Sequence, residues 1–428
     1  MKYASVLLAV SCLLSAVKAQ WYETTIQLPD SSGPFALCYN PQANKVYCAN
    51  RESDNVTVID GATNQIITTV TTGYHPVALC YNPQNDRVYC ANEGDYGHVT
   101  VIDGATNQAI TTVTAGHWPN ALCYNPENNK VYCASYYDDS VTVIDGATNQ
   151  VITTVITGDG PLALCYNPQN GKIYCANLDS CVTVMDGATN QVITTVTTGF
   201  YPVALCYNPD NNKVYCASGD DDDVTVMDGE TNQVLATVTA GYDPRALCYN
   251  SQSNKVYCAN EGSDNVTVID GETNQVLATV TTGSGPHALG YNPQNNKVYC
   301  ANGGSDNVTV IDGATNGILT TIEVGDGPSA FAWNPVQSRA YVANEFSSTI
   351  SVLRDSASGV AESPKPQASS RKLAATIVRG LPAGAVAFDA MGRRVVNPRP
   401  GVYFVRSEPS AVSRQPSAVT VRKVILQK

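Results

Sequence analysis

The residues best equipped for chemistry are fourteen cysteines that follow residue 19, four histidines and a few short acidic runs. Twelve of the cysteines form pairs ten residues apart: Cys38/Cys48, Cys80/Cys90, Cys123/Cys133, Cys165/Cys175, Cys206/Cys216 and Cys248/Cys258. Centring each intervening hairpin on its turn puts both members opposite each other, on one face of adjacent strands, which predicts six disulfides. A loop of this size contributes roughly 2–3 kcal/mol in the chain-entropy account. The alternative is buried free thiols acting as small apolar groups, because directly opposed strand residues strain the bond. Cys181 and Cys300 are left over as free thiols.

No metal is expected, since two cysteines ten apart lack the close spacing of zinc ligands. Asp220, Asp221, Asp222 and Asp223 form a weak Ca²⁺ candidate, with Asp138 and Asp139 as a second acidic pair. Neither run contains an Asp-x-Asp-x-Asp-Gly loop, so a solvated acidic face competes with that reading. His75, His98, His117 and His287 all fall on the variable loop face described below. No catalytic constellation and no cofactor motif is visible around them, so no catalytic residue and no cofactor is expected.

These residues ride on a repeat. A Tyr-Asn or Trp-Asn marker recurs at Tyr39, Tyr81, Tyr124, Tyr166, Tyr207, Tyr249, Tyr291 and Trp333, 41 to 43 residues apart. Each period holds four short runs rich in Val, Ile, Thr and Tyr. In the second copy these are Val77–Tyr81, Arg87–Ala91, Val99–Ile102 and Ala109–Thr114. Breaks such as Asn-Pro-Gln-Asn and Asp-Gly-Ala-Thr-Asn separate them, and no helical period is sustained. Four strands per period of about 40–45 residues predict one propeller blade.

The repeat resembles the YVTN family of β-propellers, the surface-protein and YncE-like group. Val46–Asn50 and Val256–Asn260 read Val-Tyr-Cys-Ala-Asn, where that family has Val-Tyr-Val-Thr-Asn. Val56–Asp60 and Val266–Asp270 read Val-Thr-Val-Ile-Asp, as in its next strand. The departure is cysteine in place of a core valine. Seven copies hold four strands. The eighth, Ser329–Leu353, holds three, and the lone strand Tyr22–Leu28 ahead of the first copy can complete it. The expectation is an all-β, eight-bladed propeller closed by an N-terminal strand, with seven blades as the alternative.

Residues 1–19 contain the apolar run Ala4–Ala16 and end in Val17-Lys18-Ala19, the pattern of a secretory signal peptide; a buried N-terminal segment is the other reading. Residues 20–356 are the propeller, and 357–370 read as a linker. The remainder, 371–428, is expected to be a small C-terminal β-sandwich. The chain carries −12; this last stretch carries +9 and Lys2 and Lys18 add +2, leaving −23 between them. Val386–Val395, Pro400–Arg406 and Val421–Val424 resemble the sorting domain of type IX secretion substrates. That resemblance implies export across an outer membrane, contact with secretion and sorting machinery, and release or surface attachment. A basic accessory β-domain is the alternative.

Comparing the copies with one another locates the variable surface. Asn-Pro-Gln-Asn and Asp-Gly-Ala/Glu-Thr-Asn-Gln hardly change and suit turn geometry. The segments ahead of the first strand and between the second and third do change, and both open on the opposite face. They carry Tyr74, His75, His117, Trp118, Phe200, Tyr201, Tyr242 and Asp243, and the channel-entry position, which also varies, carries Asn120, Arg245 and His287. Exposed aromatic residues beside carboxylates suit a protein or glycan partner; neutral drift of unconstrained loops is the competing reading. A propeller of −23 is a poor partner for nucleic acid, and no transmembrane segment is expected in the mature chain. The favoured function is a secreted or cell-surface binding scaffold. The alternative is a propeller enzyme, a quinoprotein-like dehydrogenase or a lyase, with His287, His117 and Arg245 converging on the channel mouth.

Overall fold

In a computed structural model, residues 20–94 and 97–355 are described, together with the strands Thr376–Val378, Ala385–Phe388, Arg394–Val395, Gly401–Ser407 and Val421–Leu426. The proposed signal peptide and linker lie outside the described residues. Among the described residues, no helix is long and apolar enough to cross a membrane. The chain divides at Val360/Ala361 into two units.

The first unit is an eight-bladed propeller. Blade 1 runs Pro34–Asn40, Lys45–Asn50, Asn55–Asp60 and Ile66–Thr71, all antiparallel. Six further blades repeat this order. Blade 8 takes Pro328–Asn334, Arg339–Asn344 and Thr349–Asp355 from the end of the repeat, and its outer strand, Gln20–Gln27, from the beginning. Eight blades, not seven, therefore close the ring, and no open edge separates first from last.

Residue type explains each layer. The second and third strands are buried on both faces, because each blade is sandwiched between two others. Tyr47 and its seven counterparts through Tyr341 are fully or almost fully buried. The first strands touch one another around the channel and are only half-buried. The outer strands alternate and break register once, between Val58 and Ile59 in blade 1, a bulge that blunts the exposed edge.

Polar side chains tie blade to blade. Lys45 Nζ donates to Gly104 O of the next blade at 2.7 Å and to Asn107 Oδ1 at 2.8 Å. Asn40 Nδ2 reaches Asp86 Oδ1 at 2.7 Å, deep in the channel wall. Blade 8 lacks the turn that such a lysine reaches, since its outer strand comes from the other end of the chain. Asp355 supplies the acceptors instead: it takes Lys297 Nζ at 2.6 Å, Asn292 Nδ2 at 2.6 Å and Tyr299 OH at 2.7 Å, all buried. On the other side of the closure, Arg339 holds Glu23 of the N-terminal strand and Gly61 O of blade 1.

The register overturns the predicted disulfides. The first hairpin pairs Asn40 with Lys45, so Cys38 faces Tyr47 and Leu37 faces Cys48. The same offset holds for Cys80/Cys90, Cys123/Cys133, Cys165/Cys175, Cys206/Cys216 and Cys248/Cys258. One residue of offset sends the two thiols to opposite faces of the blade. Cys38 packs toward blade 2 and Cys48 toward blade 8. All fourteen described cysteines are free thiols, and burial pushes Cys38 up to about 12. By the same offset, Leu79 and Tyr81 face blade 1, while Tyr89 and Ala91 face blade 3.

The second unit contains one five-stranded sheet, in the order Thr376–Val378, Val421–Leu426, Gly401–Ser407, Ala385–Phe388, Arg394–Val395. The first pair is parallel and the others are antiparallel. The second layer expected of a sandwich falls outside the described residues.

Candidate functional site at the channel mouth

The two loop sets separate as the repeat implies. Turns with Asp-Gly-Ala-Thr-Asn are pinned by their own aspartate: Asp60 Oδ1 accepts from Ala62 N, Thr63 N and Thr63 Oγ1. The opposite face carries the segment before each first strand and the loop after each second strand. They interlock: Arg51 N donates to Gly33 O, and His75 N to Asp54 Oδ1 at 2.9 Å.

The residue before the proline of each first strand sits in the left-handed region. Blades 1, 4, 7 and 8 place Gly33, Gly160, Gly285 and Gly327 there, with φ of 58° to 67°. Blades 2, 3 and 5 place His75, Trp118 and Tyr201 there, with φ of 45°, 56° and 58°, and blade 6 places Asp243 at 57°. A bulky side chain costs about 1–2 kcal/mol in this conformation, and glycine would avoid that cost. The neighbouring position carries the exposed aromatics. Tyr74, Phe200 and Tyr242, with Tyr137 and Phe346 from the adjoining loops, are 59 to 72% exposed. Tyr74 stacks on His75 with centroids 3.8 Å apart, and Trp118 meets Tyr137 edge-on at 5.2 Å.

Inside this rim the mouth is built from two residues per blade: the second residue of each first strand and the residue after each second strand. Blades 4 and 5 supply Leu162, Leu178 and Val203, an apolar arc. Blades 6 to 8 and then 1 and 2 supply charge. Arg245 donates to Glu261 at 2.8 Å and to Asp243 at 3.0 Å, and lies over the Tyr201 ring. His287 Nδ1 is 3.8 Å from Glu261. Arg51 pairs with Glu93 at 3.0 Å and lies over Phe35. Burial pushes the Glu345 carboxyl up, while Arg51 and His287 nearby pull it down. Asn120 Nδ2 donates to Pro161 O at 3.0 Å, and its Oδ1 is buried without a partner.

Arg245 and His287 therefore meet at Glu261, but His117 does not join them. Asp138 holds His117 at the rim of blade 3, accepting from its backbone at 2.9 Å and lying 2.6 Å from its Nδ1. His98 opens the third strand of blade 2 and packs under Gly73, below the loop surface. The Asp220–Asp223 candidate does not assemble. Asp221 takes Phe200 N, Asp222 takes Asp243 N, and Asp223 points into the blade, where burial raises its carboxyl. Among the described residues, no group of three His, Cys, Asp or Glu could hold a metal ion. Sequence reasoning missed Arg51, Glu261, Glu345 and Phe346 as site residues. The signal was available: the position after the second strand reads Arg51, Glu93, Tyr136, Leu178, Gly219, Glu261, Gly303, Glu345.

A family described as "Lactonase, 7-bladed beta-propeller" matches residues 166–371. The chain is a β-propeller protein. Its fold is similar to that of many solved chains. A computationally designed protein, Ika8, is 20% identical, with a TM-score of 0.64 over 77% of this chain and 98% of its own. Hydrazine synthase of Kuenenia stuttgartiensis is 19% identical, with a TM-score of 0.55 over 77% and 97%. Sqt1 of Saccharomyces cerevisiae is 12% identical, with a TM-score of 0.68 over 80% and 100%. At these identities the likeness concerns the fold. No curated protein matches the sequence. The matched family is seven-bladed, and this propeller has one blade more.

Proposed function

We propose that the protein is an exported binding module of the YVTN, YncE-like type, which holds a protein or glycan partner on its variable face. The observation that carries this reading is the set of bulky side chains at left-handed positions. His75, Trp118 and Tyr201 stand where four other blades use glycine. A scaffold under selection for stability alone would keep glycine there. Beside them, the exposed aromatics supply contact area of the kind that dominates protein interfaces. The N-terminal apolar run and the resemblance of residues 371–428 to a sorting domain support export to the cell exterior and contact with sorting machinery.

The test is binding of the full chain to glycan arrays and peptide libraries, alongside a Tyr74→Ala/Phe200→Ala/Tyr242→Ala variant. Selective binding lost in the variant, with an unchanged melting temperature, is the expected outcome. Absence of binding above background, or binding that the triple variant retains, overturns the reading.

A second reading is hydrolysis at the channel mouth. It is favoured by the lactonase family match and by the presence of His287 and Glu345 in one pocket. A half-buried carboxyl whose pKa is raised suits proton transfer near neutral pH. Turnover of a lactone panel that Glu345→Gln and His287→Ala abolish would establish it. Equal activity in both variants would dismiss it.

A further inference from the structure

The charged arc of the mouth is not uniform in depth. Above blade 7 it falls into a pocket of about 300 Å³ lined by Glu261, His287, Ser329, Glu345 and Phe346. Glycines make the pocket. Gly303 and Gly304 stand where blade 1 has Arg51 and Glu52 and blade 3 has Tyr136 and Tyr137. A Cβ at Gly303 would meet nothing nearer than 3.6 Å. The notch is thus open because side chains present elsewhere are missing.

Its walls fit one kind of guest. Glu261 and Glu345 come from opposite sides, blades 6 and 8, and Phe346 forms an exposed aromatic flank. Around the arc five carboxylates, Glu52, Glu93, Asp243, Glu261 and Glu345, face two guanidiniums, Arg51 and Arg245. Asp243 and Glu261 hold Arg245, and Glu93 holds Arg51. Among the described residues, Glu345 has longer-range interactions with Arg51, His287 and Glu52 and no hydrogen bond to its carboxylate. A cation in the notch would meet this carboxylate directly and lie against the Phe346 ring. The surplus of negative charge on the propeller, −23 over its sequence, steers cations toward it.

We propose that the notch above blade 7 receives the ammonium or guanidinium group of a basic side chain on a protein partner. This rests on the binding reading above and narrows it. The notch takes the charged tip, and the aromatic rim takes the flanking chain.

The experiment is calorimetric titration of the full chain with acetyl-Gly-Gly-Arg-Gly-Gly-amide, its lysine counterpart and its citrulline counterpart. Citrulline keeps the shape of arginine without the charge. The arginine and lysine peptides are expected to bind, and citrulline about tenfold or more weaker, as loss of a charge-assisted contact implies. Glu345→Gln should weaken arginine binding by about tenfold or more, and Phe346→Ala by a few-fold. Gly303→Leu copies Leu178 of blade 4 into open space and should abolish binding. Binding that fails up to about 10 mM peptide, that citrulline matches, or that Glu345→Gln and Gly303→Leu both retain, overturns the proposal. If the peptides fail while aromatic-dependent partner binding persists, this proposal falls and the binding face stands. If both fail, both fall.

Discussion

Gly171 interrupts the polar ring at the base of the channel, and repairing it should stabilise the propeller. Seven blades place Asn44, Asp86, Asn129, Asn212, Asn254, Asn296 or Ser338 at this turn, with φ of 47° to 52°; Gly171 holds φ 70°. At six of the ring positions the side chain there accepts from the asparagine of the preceding blade, as Asn129 Oδ1 does from Asn82 Nδ2 at 2.7 Å and Asn212 Oδ1 from Asn167 Nδ2 at 2.8 Å. Asn129 also accepts from Tyr124 OH of its own blade at 3.3 Å. Opposite Gly171, Asn125 Nδ2 is buried without a hydrogen-bond partner, and Tyr166 OH has no well-aligned acceptor, only the nearby Glu127 carboxylate. Burial first, and then the Glu127 carboxylate, push Tyr166 up to about 12.

Gly171→Asn should restore both bonds. Two net hydrogen bonds contribute about 1–3 kcal/mol. Lower entropy of the unfolded chain adds about 0.4–1 kcal/mol, offset in part by the left-handed conformation that asparagine tolerates. The new Cβ meets Glu127 Oε2 at 3.0 Å, the free end of an exposed side chain that can swing aside. The expected gain is about 2 kcal/mol, or a rise in melting temperature of about 2–5 °C for a propeller of this size. Differential scanning calorimetry of wild type, Gly171→Asn and the reciprocal Asn129→Gly measures it. The reciprocal change should lower the melting temperature by a similar amount. A melting temperature for Gly171→Asn at or below wild type refutes the reasoning.

Three further outcomes follow from the same geometry. Asp355→Asn deprives buried Lys297 of its carboxylate and should cost about 3–5 kcal/mol, read as a fall in the urea midpoint; a loss below about 1 kcal/mol would show that blade 8 does not depend on this closure. Asp60, Asp103, Asp145, Asp186, Asp228 and Asp270 are held below their ordinary 3.8, chiefly by the backbone N–H of the threonine three residues on. Each therefore contributes stability that is complete above pH 3.8 and is lost as pH falls through the lower folded value. Melting temperature should drop between pH 4.5 and pH 2.5, and less steeply in Asp60→Asn/Asp145→Asn; a flat profile would contradict this. Intact mass after alkylation without reductant should show fourteen labelled thiols per chain from Cys38 onward in denaturant and at most the six half-buried first-strand thiols in native buffer, because the other eight are buried. Any pair that resists labelling in denaturant would count against the free-thiol assignment.

The sequence by itself determined the architecture. A period of 41 to 43 residues, four strand-like runs per period and turn residues between them leave a ring of four-stranded blades as the consistent solution. The lone strand before the first repeat and the missing strand after the last also revealed how the ring closes. The variable face was visible too, because copies of one repeat within one chain can be compared like relatives.

Tertiary structure decided matters that hang on a single residue of register or on contacts between blades. Side chains alternate with a period of two, so whether Cys38 and Cys48 share a face depends on whether Asn40 pairs with Lys45 or with a neighbour. Turn composition alone does not distinguish those cases. Similarly, Glu261, His287, Glu345 and Phe346 lie in three different repeats, and only the circular order of the blades brings them to one pocket. The pocket itself is defined by the side chains that Gly303 and Gly304 lack, and an absence has meaning only once the neighbours around it are in place.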